Sequence, residues 1–238
     1  MCNFFSAIVL KNGEMIYDLN TSSHENLIEK AGIKDDTADA DKLTFARIEI
    51  TPKDGNVFVK KKDWYLKIDQ SIIPVWFSKE LERKCIDLFF TEVYPLCIFI
   101  DKKDLKFKNR KNLFLKDSSA KLYDLSSIEI HGSSSVILYG SSSVILYGSS
   151  SAELYGSSSA RLYDSSSARL HNSSSAELHD SSSARLHGWS SAELHDSSSA
   201  VNFSKEAKFK IQDLGIVVDR SSEDIGIYSK KAINSYKI

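Results

Sequence analysis

Apolar residues in the middle of this chain recur with a fixed period of eight. From residue 117 to residue 204 one octad is repeated eleven times, Ser-Ser-Ser-small-x-Leu-(Tyr/His)-(Gly/Asp/Asn), as in Ser141 to Gly148 and Ser165 to Asn172. Successive side chains of an extended segment point to opposite faces, so positions four and six share a face. Those positions hold Ala or Val (Ile128 once) and Leu (Ile130 once, Asn202 at the end), which makes them an inward row. Position two, Ser in every copy, joins that face, and its hydroxyl must then find a backbone or Ser partner. Position five faces outward and varies freely, from Lys121 through Ile137 and Glu153 to Arg185. A short period kept over so many copies is the signature of a solenoid, whose units bury their apolar faces by stacking on one another.

Eight residues span only about 26 Å when extended, too little to close around side chains, so two octads per coil is the smallest plausible turn. The array then amounts to about five and a half coils, roughly 26 Å along the axis at a strand spacing of about 4.8 Å. Gly, Asp or Asn at position eight supplies the corner, because these residues tolerate left-handed backbone. Antiparallel hairpins are the competing layout, and opposite charges at position five of consecutive octads (Glu153/Arg161, Arg169/Glu177) would suit them. One unit repeated without alternation in its turn residues favours the parallel stack.

Before the array the periodicity changes to that of a small α+β domain, residues 1 to 103. Asn3 to Leu10 and Glu14 to Asp18 flank Lys11-Asn12-Gly13, a hairpin signal. Leu43 to Ile50 and Asp63 to Gln70 alternate as strands, the first followed by the turn Pro52-Lys53-Asp54-Gly55. A helix is predicted near Ser23 to Ala31, with Ser22 as cap, Glu25 completing a capping box and Gly32 as stop. A second is predicted near Ser78 to Glu92, with Leu81, Cys85, Leu88 and Phe89 at helical spacing. Tyr94 to Ile100 reads as a further strand near a sheet edge, since Pro95 cannot donate to a ladder. Residues 104 to 116 interleave lysines with Leu105, Phe107 and Leu113-Phe114-Leu115, as expected of an N-terminal cap laid over the first coil. Residues 205 to 238 supply the C-terminal cap. The fold class is mainly β: a small α+β domain followed by a capped β-solenoid.

Position seven is an outward row of flat side chains: Tyr123, His131, Tyr139, Tyr147, Tyr155, Tyr163, His171, His179, His187, His195 and Phe203. Two octads per coil would stack His171 over His187 and His179 over His195, close enough for a pH-sensitive patch or a shared metal. The plainer reading is that His replaces Tyr as another flat rung in an edge ladder, and no metal site is assigned. An exposed ladder is a natural self-association surface, because Tyr and His bury much area at low entropic cost.

Two resemblances attach to these segments. Tyr-Gly-Ser-Ser-Ser, at Tyr139 to Ser143 and Tyr147 to Ser151, resembles the Tyr-Gly-Ser-Thr core of the bacterial ice-nucleation repeat. It implies a flattened β-solenoid of sixteen-residue coils with Ser inside and a Tyr ladder along one edge. It covers the repeat alone, and the Thr-x-Thr rows of that family's ice face are absent. Met1-Cys2-Asn3-Phe4-Phe5-Ser6, Asn12-Gly13, Ser23 to Lys30 and Phe45 to Pro52 resemble a group of uncharacterised bacteriophage or prophage proteins over roughly the first seventy residues. That resemblance implies a viral or prophage origin and supplies no activity.

Charge excludes more than it suggests. Lys and Arg against Asp and Glu number 20 to 18 in residues 1 to 116, 4 to 9 in the array and 7 to 5 after it. An acidic array between weakly basic flanks would repel phosphates, so nucleic acid is not expected as a partner. No run approaches a membrane span, and the start lacks the basic region of a secretory signal, which gives a cytoplasmic expectation, the host's if the chain is phage-encoded. Cys2, Cys85 and Cys97 lack metal-ligand spacing. Cys2 would become an N-terminal nucleophile if Met1 were removed, with His24 and Glu25 nearby in sequence. Against this, Cys2 opens an apolar strand, Glu25 belongs to a capping box, and His24 at a helix N-terminus reads as a solvated residue. Lys60-Lys61-Lys62 is a candidate anion contact. The expectation is a non-catalytic binding or assembly protein, without cofactor and homo-oligomeric, with a host protein or small molecule as possible ligand. The alternatives are a sequestering protein for a small molecule or nucleotide, and a Cys2-dependent hydrolase or transferase.

Overall fold

A computed structural model describes residues 5–34 and 39–230. The chain forms two compact units, Met1–Ile98 and Phe99–Ile238.

The first unit is built on a four-stranded antiparallel sheet. Strands β1 (Phe5–Leu10), β2 (Met15–Ile16), β3 (Phe45–Pro52) and β4 (Trp64–Ile68) lie in the order β2-β1-β3-β4. The predicted hairpin is present: Leu10 N–H donates to Glu14 O at 2.8 Å, and Gly13 takes φ 85° in the turn, a left-handed value that suits glycine. Helix α1 (His24–Ala31) packs Leu27 and Ile28 against Ile8 and Phe45 on one face. Its cap is one residue later than predicted. Ser23, not Ser22, accepts the Asn26 N–H, and its hydroxyl donates to Glu25 at 3.0 Å. The helix stops at Gly32, φ 65°.

The other face is covered by an interrupted helix. Helix α2 (Lys79–Leu88), capped by Ser78, runs into a π-helical turn at Phe89–Val93 and then α3 (Tyr94–Cys97). The predicted strand at Tyr94 to Ile100 is therefore corrected to a helical turn followed by the short strand Ile98–Ile100. Pro95 sits in the first turn of α3, where the missing N–H costs nothing. Phe89 packs its ring 5.0 Å from Phe5 and 5.1 Å from Trp64, which fixes the π turn over this face.

The second unit is a parallel β-solenoid of about eight turns with two strands per coil. Octads alternate between two sheets, one of nine strands and one of eight, so each pairs with the octad sixteen residues away: Ser135↔Ser151 through Leu138↔Leu154 in one, Ser143↔Ser159 through Leu146↔Leu162 in the other. Hairpins between consecutive octads are absent among the described residues. Positions four and six form one continuous core, with every position-six Leu from Leu122 to Leu194 fully buried. The row ends at Asn202, whose Nδ2 donates to Asp219 at 3.0 Å.

Position-two serines face inward as expected, and their partner is the backbone. Ser158 Oγ donates to Tyr155 O at 2.8 Å, and the same bond to the carbonyl three residues back recurs at Ser126, Ser134, Ser142, Ser150, Ser166, Ser174 and Ser198. Ser182 and Ser190 are buried without a partner. At position eight Asp164, Asn172, Asp180 and Asp196 take φ of 51–57°. A Cβ on Gly156 would meet Gly140 O at 2.8 Å, which explains a glycine there.

The stack extends beyond the octads because its flanks add coils of their own. Leu105–Lys108 and Leu113–Lys116 pair in parallel with the first two octads at an offset of fifteen (Leu105↔Ala120, Leu113↔Ile128). Lys208–Ile211 and Ile216–Asp219 pair with the last two at seventeen (Ser191↔Lys208, Ser199↔Ile216). The missing and the extra residue fall in corners, so the strands keep their inward faces. Gly226–Ser229 then closes one sheet antiparallel to Ile216–Asp219.

Candidate functional site

Because octads alternate between sheets, position seven is divided between two edges. One edge carries Tyr123, Tyr139, Tyr155, His171, His187 and Phe203, stacked at centroid spacings of 4.8–5.4 Å. The other carries His131, Tyr147, Tyr163, His179 and His195 at 4.7–5.1 Å. The rings of neighbouring coils lie within 19° of parallel, each half-buried except the last rung of the first edge, Phe203, which is exposed. The spacing follows the strands, since each ring stands one backbone hydrogen bond above the last: Tyr155 N–H donates to Leu138 O, and His171 N–H to Leu154 O, both at 2.9 Å. Each inner rung is a flat side chain shielded above and below by a stacked ring, with its outer rim exposed.

The two edges differ in charge. Along the second, position eight holds Asp164, Asp180 and Asp196, continued by Asp213, and each carboxylate accepts the backbone N–H of the residue one coil before: Gly148, Asp164, Asp180 and Asp196 in turn. His179 and His195 lie 3.9 Å from Asp196 and Asp213. The first edge has Gly140, Gly156, Asn172 and Gly188 at the equivalent positions. Ladder burial shifts proton affinities in consistent directions. Burial, reinforced by Glu129, pushes the Tyr147 hydroxyl up; burial and the facing His171 push His187 down. The stacked histidines form no group of three ligands with neighbouring acids, and no metal-holding cluster occurs among the described residues.

The first unit holds a polar patch that sequence reasoning missed. His24 is 4% exposed, so its reading as a solvated residue is overturned. Its Nε2 lies 3.0 Å from Ile48 O, which as a carbonyl accepts, and its Nδ1 lies 3.5 Å from Asp69. The ring thus pins the start of α1 to β3. On the same sheet face, Ser6, Glu49 and Lys67 stand opposite one another in register. Lys67 Nζ is 3.5 Å from Asp69 and 4.0 Å from Glu49. Ser6 and Thr51 bury their hydroxyls without a partner. The only sequence signal was the strand alternation that sets Glu49 and Thr51 on one face.

The remaining sequence candidates are dispersed. Cys2 lies outside the described residues. Glu25 is held by Ser23 in the helix cap. Lys60, Lys61 and Lys62 are exposed; Lys61 pairs with Asp87 and sits 5.6 Å over the Phe90 ring. Cys85 and Cys97 are buried and form no disulfide, and burial pushes Cys85 up to about 11. No helix among the described residues is long and apolar enough to cross a membrane.

No family model, curated protein or solved structure matches the chain.

Proposed function

We propose that the chain is a non-catalytic binding or assembly protein of phage or prophage origin, in which the solenoid is a rigid spacer and a self-association surface. The origin rests on the resemblance of the first seventy residues. The observation that carries the rest is the pair of unbroken ring ladders, which offer flat, pre-ordered rims over the length of the octad array. Rings already fixed by stacking lose little freedom on contact, so a partner meets surface at low entropic cost. Light scattering of a variant with Tyr139, Tyr147, Tyr155 and Tyr163 changed to Ser tests this: the association state should fall, and an unchanged one would remove the ladders from it.

A second reading, a sequestering protein for a small polar molecule or nucleotide, draws on the buried hydroxyls of Ser6 and Thr51 beside Glu49. Orphaned buried hydroxyls are costly, and a polar ligand would relieve them. A thermal-shift screen with nucleotides and polar metabolites checks it, silence favouring assembly.

A further inference from the structure

Position one of the octad is Ser in eight of eleven copies, and only twice is it a large apolar residue, Leu125 and Trp189. Both project from the first edge, beside the ladder that runs from Tyr123 to Phe203. They are strongly exposed, 65% and 71%, among the barest large apolar side chains of the solenoid. Four coils separate them, about 19 Å at the strand spacing. The column between them reads Leu125, Ser141, Ser157, Ser173, Trp189, and is therefore symmetric in size about Ser157.

We infer that this edge binds a second copy of the chain, antiparallel, about a two-fold axis through Ser157. The inference rests on the self-association reading and names its surface and geometry. A two-fold contact requires a patch complementary to itself. Reversed about Ser157, the column sets Leu125 against Trp189 of the second copy at both ends and small serines between, while Gly140, Gly156 and Gly188 allow close approach. Charge selects the edge. Over these five coils, positions seven, eight and one hold a single acid, Asp124, paired with Lys108 at 3.3 Å. The opposite edge carries Asp164, Asp180, Asp196 and Asp213, and a two-fold contact centred on that column would set like charges against one another, which repulsion disfavours. A solenoid edge is narrow, so the contact belongs to the small, weak class of interfaces.

The test is sedimentation of the full chain up to several hundred micromolar. Trp189→Ser and Leu125→Ser each restore the consensus residue and should fold, as circular dichroism verifies; each should weaken association at least tenfold, while Asp180→Asn on the other edge should not weaken it. In a Cys2→Ser background, Ser157→Cys should give a covalent dimer on mild oxidation, and Ser149→Cys on the opposite edge should not. If Trp189→Ser associates like the parent while Tyr155→Ser does not, the ladder still mediates association and this pairing is wrong. Association that persists without the Ser157→Cys crosslink overturns the antiparallel register. A chain monomeric at every concentration overturns both readings.

Discussion

The position-two serine decides how polar atoms survive inside a tube only a few side chains wide. Its hydroxyl returns to a carbonyl three residues back, so a bonded copy and an unbonded copy should respond differently to the same change. Ser158→Ala should cost about 1 kcal/mol, whereas Ser190→Ala, which removes a hydroxyl without a partner, should cost nothing or stabilise. Chemical denaturation of the two variants reads the difference. His187 gives a second prediction. Burial and His171 lower its proton affinity, so the unfolded chain binds the proton more readily. Its contribution to stability is complete above the unfolded value of about 6.5 and is lost as pH falls through its lower folded value. His187→Tyr, the residue of neighbouring rungs, should flatten the fall in melting temperature below that pH. The inward serine was legible because period and strand alternation together leave it no other face. The burial of His24 was not, because it depends on where β3 and Asp69 meet the start of α1, a long-range contact with no local signature.

At the scale of elements, local chemistry placed most starts and stops and misjudged those set by packing. Asn12-Gly13 and Gly32 are where their backbone requirements put them. The cap moved from Ser22 to Ser23, since the two adjacent serines are equivalent until the helix docks. Tyr94 to Cys97 has the composition of a strand, but Phe89 anchors the preceding π turn under Phe5 and Trp64 and carries the helix onward. Within the solenoid each leucine seals one level of the core, and the neighbouring levels are held in register by the backbone, so little collapse is available. Leu154→Ala should cost about 4–5 kcal/mol by thermal or denaturant unfolding, the upper end of the range for core truncations. His24→Ala should lower the stability of the first unit through the lost α1–β3 link while leaving the melting of the solenoid unchanged, which two-domain calorimetry would resolve.

For the whole molecule, the octad array was readable but its ends were not. Eleven copies imply five and a half coils; the structure has about eight, because Ile98–Ile100 joins one sheet and Leu105–Lys108, Leu113–Lys116, Lys208–Ile211 and Ile216–Asp219 keep the inward alternation after losing the repeat's wording. What stacks is a face, and the serines that made the repeat visible are not needed for it. Ends of parallel sheets present unpaired backbone groups that invite further strands. Gly226–Ser229 closes one such edge against Ile216–Asp219. A chain ending at Asp219 should therefore aggregate from its exposed strand, as turbidity or light scattering would register, and unchanged solubility would mean that the edge is protected otherwise.

The alternation of octads between two sheets sets a rule for how such a protein can change length. Gain or loss of sixteen residues adds or removes a full turn and leaves every downstream side chain on its own side. A change of eight would transfer all that follows to the opposite side, bringing Asp164, Asp180 and Asp196 into line with Tyr139 and sending Trp189 away from Leu125. Heritable variation in the number of copies is thus tolerable in pairs, and a single octad inserted after Gly148 would scramble both margins while keeping the core intact.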